Sequence, residues 1–135
     1  MTAAEHDEIV LTARFLRAAR GIDWLSTGLT FIAAAGIVLG HGNRIPAIAA
    51  VVLGVIAKLY GVRMGFDARL FEDVAAERVS TAGLDRALGA MGLARSATAG
   101  RPWSDRCRGA KRLVLRCAGA TIGQCAAIVV LAVMN

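Results

Sequence analysis

The stretch that decides the fold is Ile45–Val62, "IPAIAAVVLGVIAKLYGV", eighteen residues with one charge, Lys58. A helix rises about 1.5 Å per residue, so this stretch reaches about 27 Å and nearly crosses a bilayer's roughly 30 Å of hydrocarbon. Upstream lies Trp24–Gly40, "WLSTGLTFIAAAGIVLG", with no charge at all. The breaker-rich "HGNRIP" joins the two, which predicts a hairpin of two spans with a tight turn. A third apolar run, "LVLRCAGATIGQCAAIVVLAVM" from Leu113 to Met134, is charge-free after Arg116. The chain therefore reads as an all-α integral membrane protein with three transmembrane helices, a hairpin plus one.

Composition agrees. Hydrophobic residues make up 56% of the 135, the mean hydropathy is +0.56, and 19% are charged, against roughly 25% in soluble domains. Sixteen Lys and Arg against ten Asp and Glu give a net charge of +6. No aromatic residues interleave the basic run as stacking platforms for bases, so nucleic acid is not the expected partner. The basic excess fits loops on the cytoplasmic side of a membrane. Glu5, Asp7, Glu8 and Asp23 break up the first 23 residues, unlike a cleaved signal peptide, and this end is expected to be retained. Three cysteines, an odd number, read as free thiols. The Ala-, Arg- and Gly-rich usage points to a bacterial chain.

The expected organisation is a single membrane domain over 1–135. Residues 1–23 form an amphipathic cytoplasmic helix, with Ile9, Ala13 and Leu16 at helical spacing and Arg14, Arg17 and Arg20 toward its end. Such a helix lies on the membrane interface or in the cytoplasm. Spans follow at 24–40, 46–62 and 113–134, with an external turn at 41–45. Between the second and third spans, 63–112 is a helical cytoplasmic segment. There Phe66, Leu70 and Val74 continue the second span's helix, Ser80 or Thr81 caps a short helix carrying the stripe Leu84, Leu88 and Met91, and Pro102 starts a helix that runs into the third span. The turn at 41–45 holds one Arg, whereas 1–23 holds three and 63–112 ten Lys and Arg. That asymmetry places the N-terminus and the long segment in the cytoplasm and the C-terminus outside, in a bacterial inner membrane.

Within the spans, Ala47, Ala50, Gly54, Ala57 and Gly61 are spaced three, four, three, four. One small residue per turn lets another helix approach closely and gain dispersion contacts. Gly36 and Gly40 close a GxxxG in the first span, and Gly119 and Gly123 form another in the third. These seams either pack the chain's own helices or receive a partner. Gln124, near the middle of the third span, needs a hydrogen-bond partner in hydrocarbon, and Thr121 lies beside it. Lys58 lies about 6 Å from the inner edge, near enough to snorkel, and no span as bounded here contains an acid to face it. Arg106, Arg108, Lys111, Arg112 and Arg116 form a juxtamembrane cluster suited to anionic lipid headgroups. Cys107, in this basic helix, reads as an ordinary thiol.

No constellation for catalysis, metal binding or a cofactor is visible, so none of these is expected. The function that fits first is a non-catalytic accessory, assembly or scaffold subunit of a larger membrane complex, docking through the helix seams. The alternatives are a homo-oligomeric channel, holin-like pore or small transporter lined by Gln124 and Thr121, and a membrane organiser bound to anionic lipid.

Overall fold

In a computed structural model of the chain, residues 2–40, 44–80, 83, 86, 89, 90, 92 and 102–134 are described, and every regular element among them is helical. Among the described residues, four helices can be bounded: α1 (Ala3–Ala18), α2 (Arg20–Val38), α3 (Arg44–Ala75) and α4 (Trp103–Val133). The break between α1 and α2 is the single residue Ala19, so Ala3–Val38 runs as one rod of 36 residues. That rod, α3 and α4 are each long and apolar enough to cross a membrane.

At 31 to 36 residues the three rods measure about 46–54 Å, well beyond the roughly 30 Å of a bilayer core. Each rod therefore has an apolar half and a charged half, and the charged halves taken together are basic through the Lys and Arg of α4. The helices do not stop where hydropathy does: α3 passes through Val62 without a break, and α4 runs from Trp103 into the apolar run. The expected continuation of the second span and the expected start after Pro102 are both present. The stripe Leu84, Leu88 and Met91, Thr81 and the turn residues 41–43 lie outside the described residues. Ser80 is placed, and its Oγ accepts from the Gly83 amide at 3.1 Å, as an N-cap does.

One spacing organises the packing. The buried residues of α4 are Trp103, Cys107, Ala110, Val114, Cys117, Thr121 and Gln124, alternately four and three apart. On α3 the same alternation extends the small-residue seam past Gly61 to Met64, Ala68 and Phe71. On the first rod it runs through Ile9, Thr12, Leu16, Ala19, Ser26 and Ala33. A sustained three–four alternation is the heptad pattern of helices wound together with interlocking side chains. Of the residues that continue the second span's helix, Val74 is buried and Leu70 packs against the core, whereas Phe66 is 45% exposed and Met64, Ala68 and Phe71 are buried beside it.

The helix α1 packs along α3 and α4. Ile9 and Leu16, both fully buried, pack into one core with Met64, Phe71, Trp103 and Cys107 from α3 and α4. The basic halves thus form a three-helix bundle. Phe71 meets Trp103 edge to face with ring centroids 5.7 Å apart, and Arg106 lies over the indole at 5.1 Å. A capping box starts α1: the Glu5 amide donates to Thr2 Oγ1, and the Thr2 amide donates to Glu5 Oε2 at 2.7 Å. The Thr2 amide foremost, and then the Thr2 hydroxyl, hold the Glu5 carboxyl below its ordinary range.

Candidate functional site

The apolar half is built differently. Ala47, Ala50, Gly54 and Ala57 are buried on α3, so their seam faces α2 and α4 of the same chain. At Gly54 a Cβ would collide with Thr30 Oγ1 and stand 2.7 Å from Gln124 Nε2. At Gly61 a Cβ would run into the Asp23 carboxylate, 2.7 Å from its Cγ. The two glycines are there because a polar side chain of another helix occupies the space beside each.

Those polar side chains form a ladder between the helices. Gln124 is fully buried, its Oε1 accepts from Ser26 Oγ at 2.7 Å, and its Nε2 donates to Thr30 Oγ1 at 2.8 Å and to the Ser26 carbonyl at 3.2 Å. Both amide protons and one carbonyl lone pair are used, which leaves the group satisfied away from water. Thr30 Oγ1 in turn donates to the Ser26 carbonyl at 2.8 Å. Thr121 is also buried, and its hydroxyl donates to the Cys117 carbonyl one turn back at 3.0 Å. Cys117 Sγ contacts the Ala57 carbonyl at 3.6 Å.

One turn toward the basic half, Lys58 Nζ donates to Asp23 Oδ2 at 2.9 Å and to Thr27 Oγ1 at 3.1 Å, while Thr27 Oγ1 donates to the Asp23 carbonyl at 2.7 Å. The sequence reading gave Lys58 no acidic partner, because Asp23 fell one residue outside the first span. The pairing was nonetheless legible in the hairpin. Asp23 and Gly61 each stand nineteen residues from residue 42, and Thr30 and Gly54 each stand twelve. Antiparallel packing of α2 on α3 with that register brings both pairs to the same level, and the Lys58 stem reaches Asp23 from one turn away.

The remaining seam residues do other things. Gly40, at φ 68°, ends α2 in the left-handed conformation, and its amide donates to the Ile37 carbonyl at 3.2 Å. Gly123 adjoins Leu53, where a Cβ would be 3.3 Å from a Leu53 methyl. Gly36 and Gly119 have open space where a Cβ would go. The basic cluster is split over three directions. Arg106 turns onto Trp103, Lys111 lines an apolar groove of 540 Å³ with Asp7, Glu8, Leu11 and Phe15 of α1, and Arg108, Arg112 and Arg116 recur every fourth residue along an exposed strip of α4.

Two further groups in the charged half, beside Glu5, have shifted pKa values. Burial pushes the Cys107 thiol up, partly offset by a hydrogen bond from Thr12, so the basic helix does not activate it. Burial likewise raises the Asp67 carboxyl, against the pull of Arg63. Among the described residues no three His, Cys, Asp or Glu side chains converge as a metal site would require. Comparison with known protein families, with curated proteins and with solved structures finds no match.

Proposed function

We propose that this is a non-catalytic, multi-pass protein of a bacterial inner membrane that serves as an accessory or assembly subunit of a larger membrane complex. The basic halves of its helices stand in the cytoplasm, and the C-terminus lies on the other side. The Lys and Arg asymmetry supports that orientation.

The observation that carries the reading is the state of Gln124. Its amide is bound to Ser26 and Thr30 and shielded from solvent. The polar side chains that would line a path in the pore reading instead tie the helices together. The α3 seam is likewise occupied by the chain's own helices, which moves the docking role to small residues that face outward. Gly36 on α2 and Gly119 on α4 have nothing within 4 Å of a would-be Cβ, so a partner helix can approach there closely.

The test is native mass and composition after extraction in a mild detergent. The expected result is a complex with one or more other membrane proteins. Gly36→Leu and Gly119→Leu together should release the partner and leave thermal unfolding of the chain unchanged, since neither side chain meets the chain's own packing. A chain that runs alone as a monomer from native membranes would overturn the proposal.

A further inference from the structure

Where the apolar halves give way to the basic bundle, α2 and α3 leave a groove between them. It has a volume of 340 Å³ and is lined by Arg20, Asp23, Gly61, Val62, Gly65, Phe66 and Arg69. That size is at the lower end of the roughly 300–1,000 Å³ typical of small-ligand sites. We propose that this groove binds the headgroup of an anionic phospholipid, with the phosphate held between the Arg20 and Arg69 guanidiniums and the upper acyl chains lying along Val62 and Phe66.

Four observations converge. Arg20 and Arg69, one on each wall, make no ion pair with the described residues. A guanidinium presents a planar fork of donors that matches phosphate oxygens. One oxygen of the groove's acid, Asp23 Oδ2, is engaged by Lys58 at 2.9 Å, and the other, Oδ1, is buried against Gly61 with no hydrogen-bond partner among the described residues, so neither arginine is paired with it. Gly65 lacks a side chain where the groove needs depth, and a Cβ there would meet nothing within 4 Å. Finally, Val62 and Phe66 are exposed beside the charges, at 66% and 45%. Apolar surface beside a pair of cations, with Phe66 one turn and Val62 two turns from Arg69, is the profile of a lipid crossing from headgroup to chain, whereas a free phosphate ion would leave that surface without a use. The site is separate from the exposed arginine strip of α4.

The test is a titration of the purified full chain in detergent with phosphatidylglycerol, following bound lipid by native mass, with phosphatidylcholine as the uncharged comparison. One phosphatidylglycerol should bind per chain, in preference to phosphatidylcholine. Arg20→Gln with Arg69→Gln should weaken it by about tenfold or more, as the loss of charge-assisted hydrogen bonds implies. Gly65→Leu keeps every charge and fills the groove, and it should weaken binding to a similar degree. Arg108→Gln with Arg112→Gln removes the same charge from α4 and should leave the affinity within about twofold, because exposed charges act weakly and generally. Equal losses in the α4 variant, or unchanged binding in Gly65→Leu, would overturn the proposal. Displacement of the lipid by inorganic phosphate at matching concentration would also overturn it, since the groove would then be a site for the free ion.

Discussion

The inward face of α3 is one continuous seam with two chemistries. From Ala47 to Ala57 every buried residue is Ala or Gly, and from Met64 to Val74 the buried residues are Met, Ala, Phe and Val. The partner rods change at the same level: Ser26, Thr30, Thr121 and Gln124 on one side of it, Ile9, Leu16, Trp103 and Cys107 on the other. The spacing is common to both halves, so, on the proposed placement of the apolar half in lipid and the other half in water, the difference teaches what each surrounding requires. In water, burying large apolar side chains drives association by roughly 25 cal/mol per Å². In lipid, where the tails are as apolar as the side chains, that drive is absent, and helices associate by close approach and by hydrogen bonds between them. The Gly54–Thr30–Gln124 contact does both at one point.

The largest expected effect breaks the water-facing half. Leu16→Ala removes a fully buried side chain and should destabilise the bundle by about 3 kcal/mol, through lost transfer energy plus the cavity left behind. Thermal unfolding followed by circular dichroism in detergent checks it. The apolar half should tolerate the opposite change least. Gly54→Ala adds one methyl group against Thr30 Oγ1 and Gln124 Nε2, and displacing them should cost about 2 kcal/mol. If Gly54→Ala proved neutral while Leu16→Ala was severe, close approach would not be what holds the apolar half.

Gln124→Leu sharpens the same contrast with a smaller effect. It removes the bonds to Ser26 and Thr30, each worth about 0.6 kcal/mol between membrane helices. The two hydroxyls can turn to carbonyls of their own helix, as Thr30 already does to Ser26. The expected loss is about 1 kcal/mol with no change in ion flux across liposomes. A change in flux would restore the pore reading.

How much of this was legible in the sequence follows the same division. The three long apolar helices and the small-residue seam could be read because composition and period are local properties. The continuation of the seam into Met64, Ala68 and Phe71 kept the same period, but the change in residue size at Gly61 disguised it, and Phe66, Leu70 and Val74 offered a competing stripe. Asp23 was hidden by a boundary. Hydropathy assigned it to the segment before the first span, while its role depends on what the hairpin places opposite it. Gln124 was marked as needing a partner, yet which hydroxyls supply it depends on how two helices 98 residues apart in sequence are rotated.

The smallest effects concern the rims of the water-facing half. The end of α3 is closed by the Arg78 amide donating to the Asp73 carbonyl at 2.9 Å and the Glu77 amide to the Val74 carbonyl at 3.0 Å, with Glu77 at φ 54°. That is the position where glycine normally ends a helix. Glu77→Gly should therefore stabilise the bundle by about 1 kcal/mol, the order of the penalty a side chain carries in that conformation.

Two carboxylates in the same half should respond to pH in opposite directions. Asp67 is raised by burial, so its ionised form opposes folding. This penalty is present above its folded-state pKa and relieved as pH falls through it, so Asp67→Asn should stabilise the protein at neutral pH and lose that advantage in acid. Glu5 is lowered by the capping bonds, so it contributes stability above its unfolded pKa that disappears as pH falls through the folded one. Glu5→Gln should accordingly weaken the start of α1 at neutral pH and become indistinguishable from the wild type in acid. Hydrogen exchange of the α1 amides resolves the second effect from global unfolding, because a frayed first turn opens without the bundle. If the two variants shifted stability in the same direction across the titration, the Asp67 carboxyl would not be buried against the bundle, and the lower end of the α3 seam would be packed less tightly than its upper end.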